Sequence, residues 1–150
     1  MKMKGHVGMT EEFLRELDQW IESNQENILN DLTQLVRIKS VSGEAEGDKP
    51  FGEGPAKALD AALAMGQKMG FETENYDYYA GSIRYGNKPE IGMLAHLDVV
   101  PEGSNWNTNP YDVTLQNGTL FGRGVSDDKG PGIMALYVMK FFKDKKIPLK

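Results

Sequence analysis

Residues 131–143 are apolar around almost the whole circumference of a helix, and two adjacent carboxylates, Asp127 and Asp128, stand at its entrance. This pairing constrains the fold most. Ile133, Met134, Leu136, Tyr137, Val138, Phe141 and Phe142 leave no broad polar face, so the helix needs cover on several sides. Neighbouring carboxylates beside such a helix must meet a cation, backbone donors or water, because burying them unpaired costs too much. Glycines at 122, 124 and 130 frame the pair and allow tight turns and close backbone approach. On its own the segment also suits a solvated turn with an acidic helix cap.

The rest of the chain supplies elements to cover that helix. Thr10 is placed as an N-cap, with Glu11 and Glu12 set favourably against the helix dipole. Phe13, Leu14, Leu17, Trp20 and Ile21, then Ile28, Leu32, Leu35 and Val36, recur at helical spacing, which predicts one long helix or two abutting ones ending near Lys39. Residues 40–54 are polar and glycine-rich and read as a loop. Pro55 can open a second helix and Gly70 can close it, with Leu59, Leu63, Met65, Gly66 and Met69 on its apolar face. Residues 71–76, 80–85 and 91–97 read as three strands, with Gly86-Asn87 as one turn. The third is apolar on both faces, as in the middle of a covered sheet. Asn117-Gly118 between Thr114-Leu115 and Leu120-Phe121 predicts a hairpin with a type I′ turn. Helices before, between and after strands indicate an α/β chain with a mixed sheet covered by helices.

The net charge of −5 argues against nucleic acid or an anionic membrane as the main partner. No apolar run reaches the length of a membrane span, and Met1–Met9 has no apolar core, so it reads as a disordered lead-in rather than a leader or anchor. Cytoplasm is the expected location. With no cysteine, any metal must be held by His, Asp or Glu. His6, the only histidine besides His96, lies in the lead-in and is given no role.

His96-Leu97-Asp98 closes the third predicted strand. Residues at i and i+2 share one side of a strand, and strand ends are where α/β sheets place ligands. A metal-bound imidazole usually donates its other N–H to a carboxylate, so His-x-Asp can supply both ligand and orienter. Alone, the tripeptide fits a core histidine paired with an acid equally well.

Together the two segments are more specific. His-x-Asp followed about thirty residues later by Gly-Arg-Gly-x-x-Asp-Asp-Lys-Gly resembles the zinc metallopeptidase family of aminoacylase and carboxypeptidase G. The stretches His96–Trp106, Asn109-Pro-Tyr-Asp-Val and Asn117–Pro131, with Val36-Arg-Ile-Lys-Ser-Val-Ser-Gly and Pro50-Phe-Gly-Glu-Gly-Pro upstream, resemble its PepV-type dipeptidase branch. The resemblance spans roughly residues 10–150 and implies the N-terminal part of a zinc-exopeptidase-like catalytic domain, without the smaller lid domain. It implies that His96 is a ligand to one zinc and that Asp127 bridges two. Asp98 would be the active-site acid orienting the His96 imidazole, and Asp128 the partner in a cis peptide after the bridging residue.

Two zinc ions are the expected cofactors, with manganese or cobalt as substitutes, and the expected chemistry is metal-assisted hydrolysis of dipeptides. Deacylation of N-acyl amino acids or of succinyl-diaminopimelate uses the same motifs. The family's general base, a Glu about thirty-five residues beyond the bridging Asp, would fall past Lys150, as would the remaining ligands. The 150 residues are therefore expected to be a fragment, inactive alone; the alternatives are a separately encoded C-terminal half as its partner and a non-catalytic remnant serving as an interaction module.

Overall fold

A computed structural model describes residues 10–86 and 91–147. The expectations for Met1–Met9, His6, Asn87 and the last three residues lie outside the described residues.

Helix α1 runs unbroken over Glu11–Val36, so the polar stretch around residues 24–27 does not divide it. Thr10 caps it as expected: its Oγ1 accepts the Phe13 N–H at 3.1 Å. Helix α2 covers Glu53–Lys68 and starts two residues earlier than Pro55 suggested. Pro55 still sits in the first turn, where its missing N–H leaves no helical bond unmade. Gly70 follows with φ of +76°, the left-handed conformation that ends many helices.

Strands β1 (Glu72–Tyr76) and β2 (Ala80–Arg84) form an antiparallel pair, and β3 (Thr114–Gln116) and β4 (Thr119–Phe121) form another. Asn117 and Gly118, at φ of +50° and +77°, make the second turn with the two positive angles a type I′ hairpin needs. Helix α3 spans Lys129–Asp144. The chain is thus α/β, and among the described residues its sheets are these two small antiparallel ones.

Helix α1 packs against α3 and α2, and α2 also covers β1 and β2. The core joins Leu32, Leu35 and Val36 of α1, Met65 of α2, Phe71, and Ile133, Leu136 and Tyr137 of α3. Phe141 is buried between Phe13 and Trp20, with ring centroids at 5.7 and 5.4 Å in edge-on geometry. The Tyr137 hydroxyl donates to Asp31 at 2.8 Å, and burial raises its pKa above the ordinary value.

The strand expected over residues 91–97 is not formed. The segment carries no regular secondary structure and has no ladder partner among the described residues, and Ile91 and Leu94 are 80% and 100% exposed. A segment apolar on both faces becomes a central strand only where two neighbouring strands supply hydrogen bonds. Here the backbone near its end is bound by other groups. The Leu97 carbonyl accepts from the Ser40 hydroxyl, and the His96 N–H donates to Asp128. The cover expected for α3 is likewise one-sided: Ile133, Leu136, Tyr137 and Phe141 are buried, while Met134 and Val138 face outward.

Candidate metal centre

The turn ahead of α3 and the end of the 91–98 segment meet. His96 Nε2 lies 2.9 Å from Asp127 Oδ1. Its Nδ1 lies 3.0 Å from the Asp98 carbonyl oxygen and 3.3 Å from Asp98 Oδ1. Asp128 Oδ2 accepts the backbone N–H of His96 at 3.2 Å. The peptide between Asp127 and Asp128 is cis, as the family resemblance implied. All three residues singled out from the sequence, His96, Asp98 and Asp127, therefore come together, 31 residues of chain separating His96 from Asp127. Asp98 meets the imidazole first through its backbone oxygen and only secondarily through its carboxylate.

Burial tends to lower the His96 pKa, but the hydrogen bonds to Asp127 and the Asp98 carbonyl, and the two carboxylate charges, outweigh it and hold His96 above its ordinary value. With Nδ1–H donated to Asp98, Nε2 is left facing the Asp127 carboxylate. That donor pair fits a divalent ion. Zinc binds imidazole nitrogen and carboxylate oxygen at roughly 2.0–2.2 Å, which places two ligands of one ion about 3–3.5 Å apart. Asp127 is 86% exposed at its side chain and can shift outward by the small amount required. Asp98 and Asp128 occupy other positions, one behind the ring and one on the backbone. Among the described residues no group of three or more His, Asp or Glu is disposed to hold a metal. An ion here would need further donors from outside them.

Several supporting residues carried no periodic signal in the sequence. Lys129, fully buried, donates from Nζ to the carbonyls of Leu35 and Ile38, both at 2.8 Å. Burial pushes its pKa down to about 8, against the pull of the Asp98 charge. Ser40, also fully buried, reaches the Leu97 carbonyl at 2.6 Å.

A second polar cluster fixes the chain just after Asp98. The Glu102 carboxylate accepts from the Tyr111 hydroxyl at 2.7 Å and from Lys39 at 3.0 Å. Its backbone carbonyl accepts from Trp106 Nε1 and Arg123, and the Arg123 guanidinium lies over the Trp106 ring. The Tyr111 hydrogen bond, then a backbone hydrogen bond and that from Lys39, lower the Glu102 pKa to about 2. A depressed carboxylate adds stability that is present above its unfolded pKa, near 4.5, and is lost as pH falls toward 2. Glu102→Gln is therefore expected to lower the thermal midpoint by a constant amount above pH 5, with the gap closing between pH 4.5 and 2. Melting curves of both proteins across that range check it, and a gap that widens toward low pH contradicts the assignment.

The sequence profile of Peptidase family M20/M25/M40 matches residues 92–150, which contain His96, Asp98 and Asp127. A Bacillus subtilis (strain 168) protein named "Putative dipeptidase YtjP" is 42% identical over 128 residues, covering 83% of this chain and 28% of that protein. A Staphylococcus aureus (strain USA300) protein also named a putative dipeptidase is 38% identical over 133 residues, covering 87% of this chain and 28% of its own length. The chain thus spans 28% of the length of these curated relatives. Its fold matches the crystal structure of human carnosine dipeptidase 1 with a TM-score of 0.71 at 24% identity, over 91% of this chain and 32% of that one. Residues 92–150 of this chain are thus similar to Peptidase family M20/M25/M40, and the chain as a whole is similar to proteins named as dipeptidases.

Proposed function

We propose that this chain supplies part of the metal centre of a dipeptidase, with His96 and Asp127 as ligands and Asp98 as the residue that orients His96. The observation that carries this reading is the facing pair His96 Nε2 and Asp127 Oδ1, 2.9 Å apart, with the other ring nitrogen held by Asp98. The expected ions are zinc, with Asp127 shared between two of them. Their contribution would be to lower the pKa of water and polarise a peptide carbonyl.

The chain's own contribution is positional. Asp98 fixes the imidazole tautomer and plane. Asp128 fixes the His96 backbone. The exposed carboxylate of Asp127 is left to share its second oxygen. The proposed substrate is a short peptide, following the names of the relatives at 42% and 38% identity.

The test is hydrolysis of a dipeptide panel by the protein expressed from its complete gene, before and after chelation. Activity is expected to fall at least ~100-fold on chelation and to return with zinc, manganese or cobalt. Activity indifferent to chelation sinks the metal reading. Turnover confined to N-acyl amino acids moves the assignment to a deacylase.

A further inference from the structure

Residues 35–42, between the end of α1 and the following loop, touch both segments that carry the proposed ligands. Ser40 grips the chain on either side of Asp98. Its hydroxyl donates to the Leu97 carbonyl at 2.6 Å, and its own carbonyl accepts the Val99 N–H at 3.0 Å. Ser42 Oγ reaches Asp98 Oδ2 at 3.4 Å. Lys129 approaches the same stretch from the other segment. It directly follows Asp128 as the first residue of α3, and its ammonium donates to the carbonyls of Leu35 and Ile38. Those carbonyls lie at the C-terminal end of α1, where a cation is favoured by the helix dipole.

Two fully buried polar side chains, Ser40 and Lys129, thus spend their hydrogen bonds on one short stretch of backbone or on the residues around Asp98. Ordinary satisfaction of buried groups accounts for each bond singly. It does not require that both lead to segments 31 residues apart that meet at one atom pair.

We infer that residues 35–42 are a brace, and that Ser40 and Lys129 are positioning residues that set the spacing between His96 and Asp127, with Ser42 steadying the Asp98 carboxylate. The inference rests on the metal-centre reading above. Residues that orient metal ligands from behind typically change metal affinity 10–100-fold when removed.

The experiment uses the protein expressed from its complete gene, loaded with cobalt, with Ser40→Ala, Lys129→Met, Ser42→Ala and His96→Ala. Cobalt dissociation constants, the visible cobalt absorption band and the unfolding midpoint of the metal-free form are measured for each. Ser40→Ala and Lys129→Met are expected to bind cobalt roughly 10–100-fold more weakly with a shifted absorption band. Ser42→Ala, at an exposed position, is expected to weaken binding about 3–10-fold and decides the matter if the buried variants do not fold. Wild-type affinity and spectrum in the folded variants, with only the unfolding midpoint lowered, overturns the brace alone. Wild-type cobalt binding by His96→Ala overturns the metal-centre reading and the brace with it.

Discussion

Alanine at position 130 is expected to destabilise the fold by about 3 kcal/mol or more, a drop of roughly 6–12 °C in the thermal midpoint for a domain of this size. A Cβ built on Gly130 would lie 1.9 Å from the Val125 carbonyl oxygen and 3.0 Å from its carbon. Backbone, unlike the tip of a flexible side chain, cannot swing aside. Relief requires moving either α3 or the turn at 122–128, and the Gly130 N–H is also bonded to the Gly124 carbonyl at 3.1 Å. Because that turn carries Asp127 and Asp128, the same change is expected to loosen the contact with His96. Gly43→Ala provides the control. Nothing lies within 4 Å of its added Cβ, so its midpoint should stay within the range of an ordinary surface change, about 0.5 kcal/mol. Equal melting of the two variants means that the close approach at 130 does not exist in solution.

The second large effect is on chemistry. In the protein expressed from its complete gene, Asp127→Asn is expected to lower kcat/KM for a dipeptide by at least ~10³-fold, about 4 kcal/mol of transition-state stabilisation. It should also lose more bound metal than His96→Ala. The asymmetry follows from the proposed roles: a shared carboxylate serves two ions, a histidine one. Asparagine keeps the size of Asp127 and removes the charge, so a folded variant isolates electrostatics from packing. Metal content by elemental analysis, measured beside activity, decides the case. Equal metal loss in the two variants removes the bridging role from Asp127, and unchanged metal in both removes the ligand roles altogether.

Local signals in the sequence translated directly into structure. Thr10 caps α1, Asn117-Gly118 turns a hairpin, and Gly70 follows α2 in the left-handed region, because each acts through its own backbone or that of near neighbours. The site was legible in a different way. No spacing rule places His96 beside Asp127; the motif resemblance did, and the structure brings the two within 2.9 Å. Ser40 and Lys129 lie inside the quoted motifs, but nothing periodic marks their structural role, because their partners are 57 and more than 90 residues away. The 91–97 segment shows the opposite failure. Its pattern suited a central strand, but a strand is a relation between chains of backbone, and no such neighbour lies beside it among the described residues.

The packing of Trp20 against Phe141, with the indole N–H donating to Asp144, joins positions 124 residues apart. During synthesis at roughly 5–20 residues per second, the first of these leaves the ribosome some 6–25 s before the last. Throughout that interval the aromatic stripe of α1 lacks the α3 side chains it packs against in the folded chain. Helix formation takes about a microsecond, so the wait is set by translation rather than by folding. Slow codons between the two helices would lengthen the time during which this stripe is open to chaperones or to a neighbouring nascent chain.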